Sequence, residues 1–362
     1  CKLNTTILMK KNILLASLSI SILKACNSGN KEETASVDPE SKRCDLALKD
    51  LLGPFERLAQ SSEKTGTEGE KIKLGHALYY DVRLSKNNTI SCNSCHNLAK
   101  AGVDNLPTSP GDAGINGGRN SPSVLNAAIH TMQFWDGRAA DIEEQAGMPI
   151  LNPVEMAIPS EKFLVDRLSA EPMYREMFKK AYPSENNPIT YTNIRKAIGA
   201  FERELITPSR FDRYLAGESE ALTVKEKKGL MTFVNVGCTT CHYGPALGGN
   251  SFQKFGVHDD YWKHTNSSKI DEGLAAISKK PEEKFMFKTP SLRNIAETSP
   301  YFHDGSVNEL DKAVKIMAKV QLNYELNNSE VENLVAFLQS LSGDIKPAYK
   351  SAPAEVKQTA KL

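Results

Sequence analysis

The apolar positions of this chain recur mostly at helical spacing. Ile194, Ala197, Ile198, Phe201 and Leu205 fall on one face after Thr192, the pattern by which an amphipathic helix buries one side. Thr223 with Glu226 makes a capping-box pattern ahead of the helix leading to Cys238. Ser329 with Glu332 makes another, followed by Val331, Leu334, Val335, Leu338 and Leu341. Leu310, Ala313, Val314 and Met317 form a further apolar face. No stretch gives a convincing run of alternating strands. The pattern predicts an all-α protein with long loops.

One apolar run stands apart. Ile13–Leu23 follows Met9, Lys10 and Lys11 and precedes Lys24-Ala25-Cys26. A basic start, an apolar stretch too short to span a bilayer and a small residue before the cut describe an export signal over residues 9–25. Residues 1–8 then precede the better start at Met9. Leu23-Lys24-Ala25-Cys26 resembles a bacterial lipobox, so Cys26 is a candidate lipid anchor, although Lys24 is untidy for that motif. Residues 26–45 read as a flexible tether, with Cys44 an incidental thiol in it.

Composition narrows the class without naming it. The 362 residues are 40% hydrophobic and 25% charged, with 45 Lys+Arg against 44 Asp+Glu and a net charge of +1. That is ordinary globular composition for about two domains, with no positive surplus for nucleic acid or an acidic membrane surface.

Cysteine placement is more telling. Cys92-Asn93-Ser94-Cys95-His96 and Cys238-Thr239-Thr240-Cys241-His242 are two copies of C-x-x-C-H. This is the attachment signature of c-type haem: two thiols form thioethers to one porphyrin, and the adjacent histidine reaches the iron. The alternatives are a zinc site, which needs converging ligands, and a thioredoxin-like pair, which needs a βαβ context.

Each motif is followed by a related block, at one constant spacing. Pro122–Asn126 matches Pro290–Asn294, Trp135 matches His303 ahead of Asp-Gly, and Ile142 and Ala146 match Leu310 and Val314. The chain therefore reads as two tandem haem modules, over residues 46–205 and 206–345, with a tail at 346–362. The second carries a longer excursion at about 248–284. The same spacing sets Met317 opposite Pro149. Met317 is either a core methionine or the sixth ligand of the second iron, since a thioether is a standard axial partner to histidine. Pro149 cannot ligate, so the first iron lacks that closure. Glu155 follows closely, and is either a solvent-facing glutamate or a general acid/base toward bound peroxide.

The chain from about Leu52 to Gly343 resembles the bacterial dihaem cytochrome c peroxidases, a family that also contains the relatives that mature tryptophan-derived quinone cofactors. The resemblance rests on both haem motifs, Arg119-Asn120, Gln133–Arg138, Val154-Glu155-Met156, Pro300–His303 and Met317 with Gln321-Leu322. It implies a low-potential N-terminal haem that reduces hydrogen peroxide. It also implies a high-potential His242/Met317 haem that collects electrons from a small periplasmic cytochrome c or copper protein. It implies that Trp135 conducts electrons between the haems, and that Asn120, Thr298 and Pro300 hold calcium, the last two through backbone carbonyls. A periplasmic location and a homodimer are expected. Competing functions are a dihaem electron carrier without catalysis and a cofactor-maturing oxidase; in the latter branch a tyrosine replaces the methionine ligand. One departure stands out. Where well-known members carry a histidine that caps the N-terminal iron, this chain has Asp112, in a Gly-rich loop expected to be mobile. His76 and His130 are expected to be structural or exposed.

Overall fold

Two glycines mark the crossings on which the molecule is built. The computed structural model describes residues 38–359, so the export signal and Cys26 lie outside the described residues. The helices are α1 (Pro39–Leu48), α2 (Gly66–Tyr80), α3 (Cys92–Cys95), α4 (Ile142–Leu151), α5 (Glu161–Ala170), α6 (Pro172–Ala181) and α7 (Tyr191–Glu202). They continue with α8 (Arg210–Leu215), α9 (Val224–Val236), α10 (Tyr261–Thr265), α11 (Ala275–Ser278), α12 (Leu310–Leu322), α13 (Asn328–Gln339) and α14 (Ala354–Thr359). A Cβ on Gly75 of α2 would lie 1.9 Å from the Ala197 carbonyl oxygen of α7 and 2.8 Å from the Phe201 Cβ. A Cβ on Gly229 of α9 would lie 1.9 Å from the Asn333 carbonyl oxygen of α13 and 2.8 Å from the Phe337 Cβ. Only a residue without Cβ lets the backbones approach this closely, and the same crossing is made twice.

The loops repeat as well. The 3₁₀ turns Ala127–Ile129 and Ile295–Glu297 follow Asn126 and Asn294, at φ of 60° and 58°. Isolated bridges join Gln133 to Ala139 and Tyr301 to Val307, and inside them Phe134 and Phe302 stand at φ of 66° and 71°. Left-handed phenylalanines are uncommon, so finding two at equivalent positions supports the internal duplication.

The architecture departs from all-α in one place. β1 (Phe252–Lys254) and β2 (Met286–Lys288) pair antiparallel, Phe252 opposite Lys288. This short ladder, with α10 and α11 between its strands, closes the excursion after the second motif.

The ends of the chain are exchanged between the halves. Leu48 and Phe55 are buried in the core of the second half with Phe211, Phe233 and Phe337. Ile345 is buried with Phe201 and Leu98, and Val356 with the α2, α6 and α7 residues of the first half. Composition placed the tether as far as residue 45, but α1 begins at Pro39, capped by Asp38, whose side chain accepts from the Glu40 amide. Its Cys44 is buried rather than tethered in solvent. Burial also holds Lys227 of α9 against Asp45 at 2.8 Å and Ser41 at 2.6 Å, which fixes α1 to the second half. From Asp38 onward the chain is one compact unit.

Capping agrees in one case and shifts in two. The Thr223–Glu226 box forms. For α13 the box is Asn327 with Glu330 rather than Ser329 with Glu332; both pairs have the required spacing, and the earlier one adds hydrogen-bonded helix. α7 starts at Tyr191, capped by Thr190.

Candidate functional site: two haem motifs and the seam between the halves

Both motifs present the histidine alike. In the first, the Ser91–Ser94 capping box starts α3, and the His96 amide closes the turn onto the Cys92 carbonyl at 2.9 Å. His96 Nδ1 lies 3.0 Å from the Pro122 carbonyl, and the Tyr79 hydroxyl donates to the His96 carbonyl at 2.5 Å. In the second, Gly237 ends α9 in the left-handed region, the His242 amide bonds to the Cys238 carbonyl, and His242 Nδ1 lies 3.1 Å from the Leu247 carbonyl. A carbonyl at Nδ1 calls for the Nδ1–H tautomer, which leaves the Nε2 lone pair for a metal. Burial lowers both imidazole pKa values, further favouring the neutral ligand form.

The cysteines are unsuited to disulfide exchange. Burial pushes the Cys95 thiol up to about 11 and the Cys238 thiol up to about 12, and raises Cys92 and Cys241 as well. A reactive redox dithiol needs a depressed pKa. Among the described residues no three His, Cys, Asp or Glu side chains group closely enough to hold a metal ion, so the motifs do not converge into a zinc cage. Paired thiols with a pre-oriented imidazole, twice over, fit covalent haem.

The two halves meet through a reciprocal exchange. The Asn120 amide donates to the His303 carbonyl at 2.8 Å, and the Lys288 amide donates to the Trp135 carbonyl at 2.8 Å. Asn120 and Lys288 are repeat equivalents, as are Trp135 and His303, so the seam has local pseudo-two-fold symmetry. The Trp135 and His303 rings lie 6.3 Å apart, nearly perpendicular, and Trp135 Nε1 donates to the Asn120 carbonyl at 2.9 Å.

The segment after α4 carries Glu155. Pro149 sits in the last turn of α4, which ends at Leu151, while its counterpart α12 runs past Met317 to Leu322. Glu155 is half-buried. Burial raises its carboxyl pKa, against the opposing pull of Arg138 and of a hydrogen bond from Asn152. It is also near enough to Cys95 to help raise that thiol.

The comparisons bear on this geometry directly. The sequence model described as "Di-haem cytochrome c peroxidase" matches residues 69–220. The chain is 44% identical over 289 residues to the cytochrome c551 peroxidase of Nitrosomonas europaea, covering 79% of this chain and 84% of the relative. It is 43% identical over 295 residues to the cytochrome c551 peroxidase of Pseudomonas aeruginosa, covering 80% of this chain and 84% of the relative.

This chain belongs to the di-haem cytochrome c peroxidase family.

Within that family it is also 34% identical over 287 residues to the methylamine utilization protein MauG of Methylorubrum extorquens, covering 76% of this chain and 79% of the relative. Among solved structures, a MauG-like protein associated with microbial copper homeostasis matches with a TM-score of 0.69 at 29% identity, over 83% of this chain and 97% of that one. The diheme peroxidase BthA of Burkholderia thailandensis, at 21% identity and a TM-score of 0.64 over 82% of this chain and 94% of that one, shares the fold.

The loop at Asp112, expected from its glycines to be mobile, is held by hydrogen bonds. Asp112 is 8% exposed. Its carboxylate accepts from the Asn87 amide, from Asn87 Nδ2 at 2.7 Å and from Thr89 Oγ1 at 2.6 Å. These bonds overcome the penalty of burial and hold its pKa below the usual range. The Asp112 amide donates to the Glu155 carbonyl at 2.7 Å. A Cβ on Gly111 would lie 1.8 Å from the Val154 carbonyl oxygen, so glycine there lets the loop press against the Glu155 segment.

Met317 is half-buried and is not among the residues of the apolar clusters of the core. Asn120 donates Nδ2 to the Leu106 carbonyl at 2.9 Å, and Asn105 Nδ2 reaches the Ser299 carbonyl at 2.8 Å. The second bond draws the Thr298–Pro300 segment toward the Asn120 loop, so these residues, read from sequence as one calcium site, flank the same seam. His76 stacks on Phe201 at 4.7 Å, and His130 faces Lys288 Nζ at 3.3 Å across the seam. Neither is fully exposed. Sequence reading assigned no role to Tyr79, Arg138 or Lys288. The repeat could have pointed to Lys288, because it stands where the first half has Asn120.

Proposed function

We propose that this family member reduces hydrogen peroxide to two waters, using two electrons from a cytochrome donor and two protons, at the site beside His96. His96 and His242 would hold the irons, with Cys92, Cys95, Cys238 and Cys241 anchoring the two haems and Met317 completing the second site. Bound haem c supplies iron that accepts and passes single electrons and, where a coordination position is open, binds peroxide.

The protein's own groups supply the rest. Glu155, whose carboxyl pKa is raised by burial, accepts a proton from one peroxide oxygen and returns it to the other as the O–O bond breaks. Arg138 limits how far its pKa rises. Trp135, with His303 across the seam, lies where the halves exchange hydrogen bonds and offers a conduit between the two sites. Asn120, with the carbonyls of Thr298 and Pro300, offers oxygen donors suited to calcium, which would brace that seam. A periplasmic location, a lipid anchor at Cys26 and a homodimer belong to the same reading. So does a small copper protein as an alternative donor. Met317 favours a peroxidase over the cofactor-maturing branch.

The observation that carries the open first site is the binding of Asp112 to Asn87 and Thr89. It leaves this carboxylate engaged elsewhere, with Pro149 in the position of the methionine. The deciding experiment is Glu155→Gln. Turnover with peroxide should fall by roughly 10²–10⁴ while pyridine haemochrome still counts two haems; near-normal turnover in that variant refutes the role.

A further inference from the structure

Glu202 is a carboxylic acid in a place that the second half fills with hydrocarbon. The crossing pairs Phe201 with Phe337, which sets Glu202 at the end of α7 opposite Leu338 of α13. Leu338 is 4% exposed in its core, and so is Glu202. Glu202 Oε2 has no hydrogen-bond partner. A buried carboxyl with an unpartnered oxygen is costly to keep ionised, and packing alone would be served by leucine, as the other half shows.

Its surroundings tie it to the first haem motif. Tyr79 of α2 and Cys92 of α3 pack in one cluster with Phe201, the residue before Glu202, the Glu202 charge helps to raise both their pKa values, and Tyr79 holds the His96 carbonyl. The other charged groups facing it are Glu143 of α4 and Arg203 of its own segment. Those two pair with each other, so the arginine's charge is largely spent on Glu143. Glu155 lies toward Cys95 instead; the two acids therefore flank the motif at different cysteines.

We propose that Glu202 is the proton partner of the first haem: one proton enters its carboxylate from solvent as the haem gains one electron, and leaves as that electron departs. This rests on the assignment of a redox-active haem to Cys92–His96. The physical cause is charge. A ferric centre carries one more positive charge than a ferrous one and favours a nearby carboxylate; reduction removes that support, and the buried group is neutralised by a proton. Burial already pushes the Glu202 carboxyl up to about 8, so the exchange falls near neutral pH. The residue does not touch peroxide. It would make the electron's arrival nearly neutral in net charge and tune the first site's potential to pH.

The test is spectroelectrochemical titration of the first haem in the holoprotein from pH 6 to 9, for wild type, Glu202→Gln, Glu202→Leu and Glu155→Gln. In wild type the redox equilibrium should shift up to tenfold per pH unit across part of this range, about 59 mV for a one-electron couple. Glu202→Gln and Glu202→Leu should both flatten that slope, while Glu155→Gln should retain it. Glutamine preserves shape and polarity, so the result does not depend on the leucine variant folding. A wild-type slope retained in Glu202→Gln, or lost in Glu155→Gln, overturns the proposal. Haem content is counted first: one haem per wild-type chain would overturn the underlying assignment, whereas two haems and an unchanged slope would overturn only the role of Glu202.

Discussion

At the scale of single residues, three carboxyls in the first half are held in three different conditions. Asp112 is buried and well satisfied, Glu155 is half-buried beside an arginine, and Glu202 is buried with one oxygen lacking a hydrogen-bond partner. Asp112→Asn keeps the size but replaces the charged acceptor of the Asn87 and Thr89 bonds, and should cost about 1–3 kcal/mol in denaturant unfolding. A change within a few tenths would mean that the loop is anchored otherwise. Because Asp112 is engaged, ferric wild-type protein should show a high-spin haem by low-temperature electron paramagnetic resonance and react with peroxide before any reductant is added. Two low-spin haems would show that another ligand closes the site. Glu202 also predicts a pH dependence of stability. Its folded pKa lies above the unfolded carboxylate value, so its stabilising contribution is full in acid and is lost as pH rises through about 8. Thermal unfolding of Glu202→Gln should therefore gain on wild type between pH 5 and about 8 and level off above it; a constant difference across that window would contradict the burial argument. For Met317, replacement by histidine should lower the potential of the second haem, because imidazole favours ferric iron more than a thioether does. An unaltered potential and spectrum would leave Met317 a packing residue.

At the scale of elements, the duplicated helix crossing is the feature most sensitive to a single methyl group. Gly75→Ala or Gly229→Ala would force a Cβ into a carbonyl oxygen at 1.9 Å, which the backbones can relieve only by moving apart. Each should destabilise its half by about 1–3 kcal/mol or more. Gly53→Ala, where nothing lies within 4 Å of the added atom, should be near neutral in the same unfolding assay. Equal effects at all three glycines would show that close approach is not what these positions require. Reading the helix faces from sequence worked here because a 3.6-residue repeat is a local property. The crossing glycines were legible only afterwards, since nothing in the neighbourhood of Gly75 announces which carbonyl it will meet. The α13 cap shows the same limit: Asn327–Glu330 and Ser329–Glu332 both satisfy the spacing, and local chemistry does not choose between them.

At the scale of the whole molecule, each end of the described chain closes the half it does not belong to by order. Removing residues 345–362 would strip Ile345, Tyr349 and Val356 from the first half's clusters. Heat unfolding followed separately at the two haems should then show the first half melting earlier and the second nearly unchanged. An equal shift in both would mean that the halves unfold as one cooperative unit.

The sequence by itself determined what depends on neighbours along the chain. The two C-x-x-C-H motifs, the repeat linking Trp135 to His303 and Pro149 to Met317, and the apolar faces of α7, α12 and α13 are all local patterns. From them came the family, the helical class and the proposed places of haem attachment. Tertiary structure alone decided what depends on distant partners. It bound Asp112 to Asn87 and Thr89 in a loop whose glycines had suggested mobility, and drew α1 out of an expected tether onto α9. It also buried Glu202, with its Oε2 unpartnered, beside a haem motif more than a hundred residues earlier in sequence. A residue type carries its pKa and hydrogen-bonding capacity wherever it stands, but burial and partners exist only once the chain has folded.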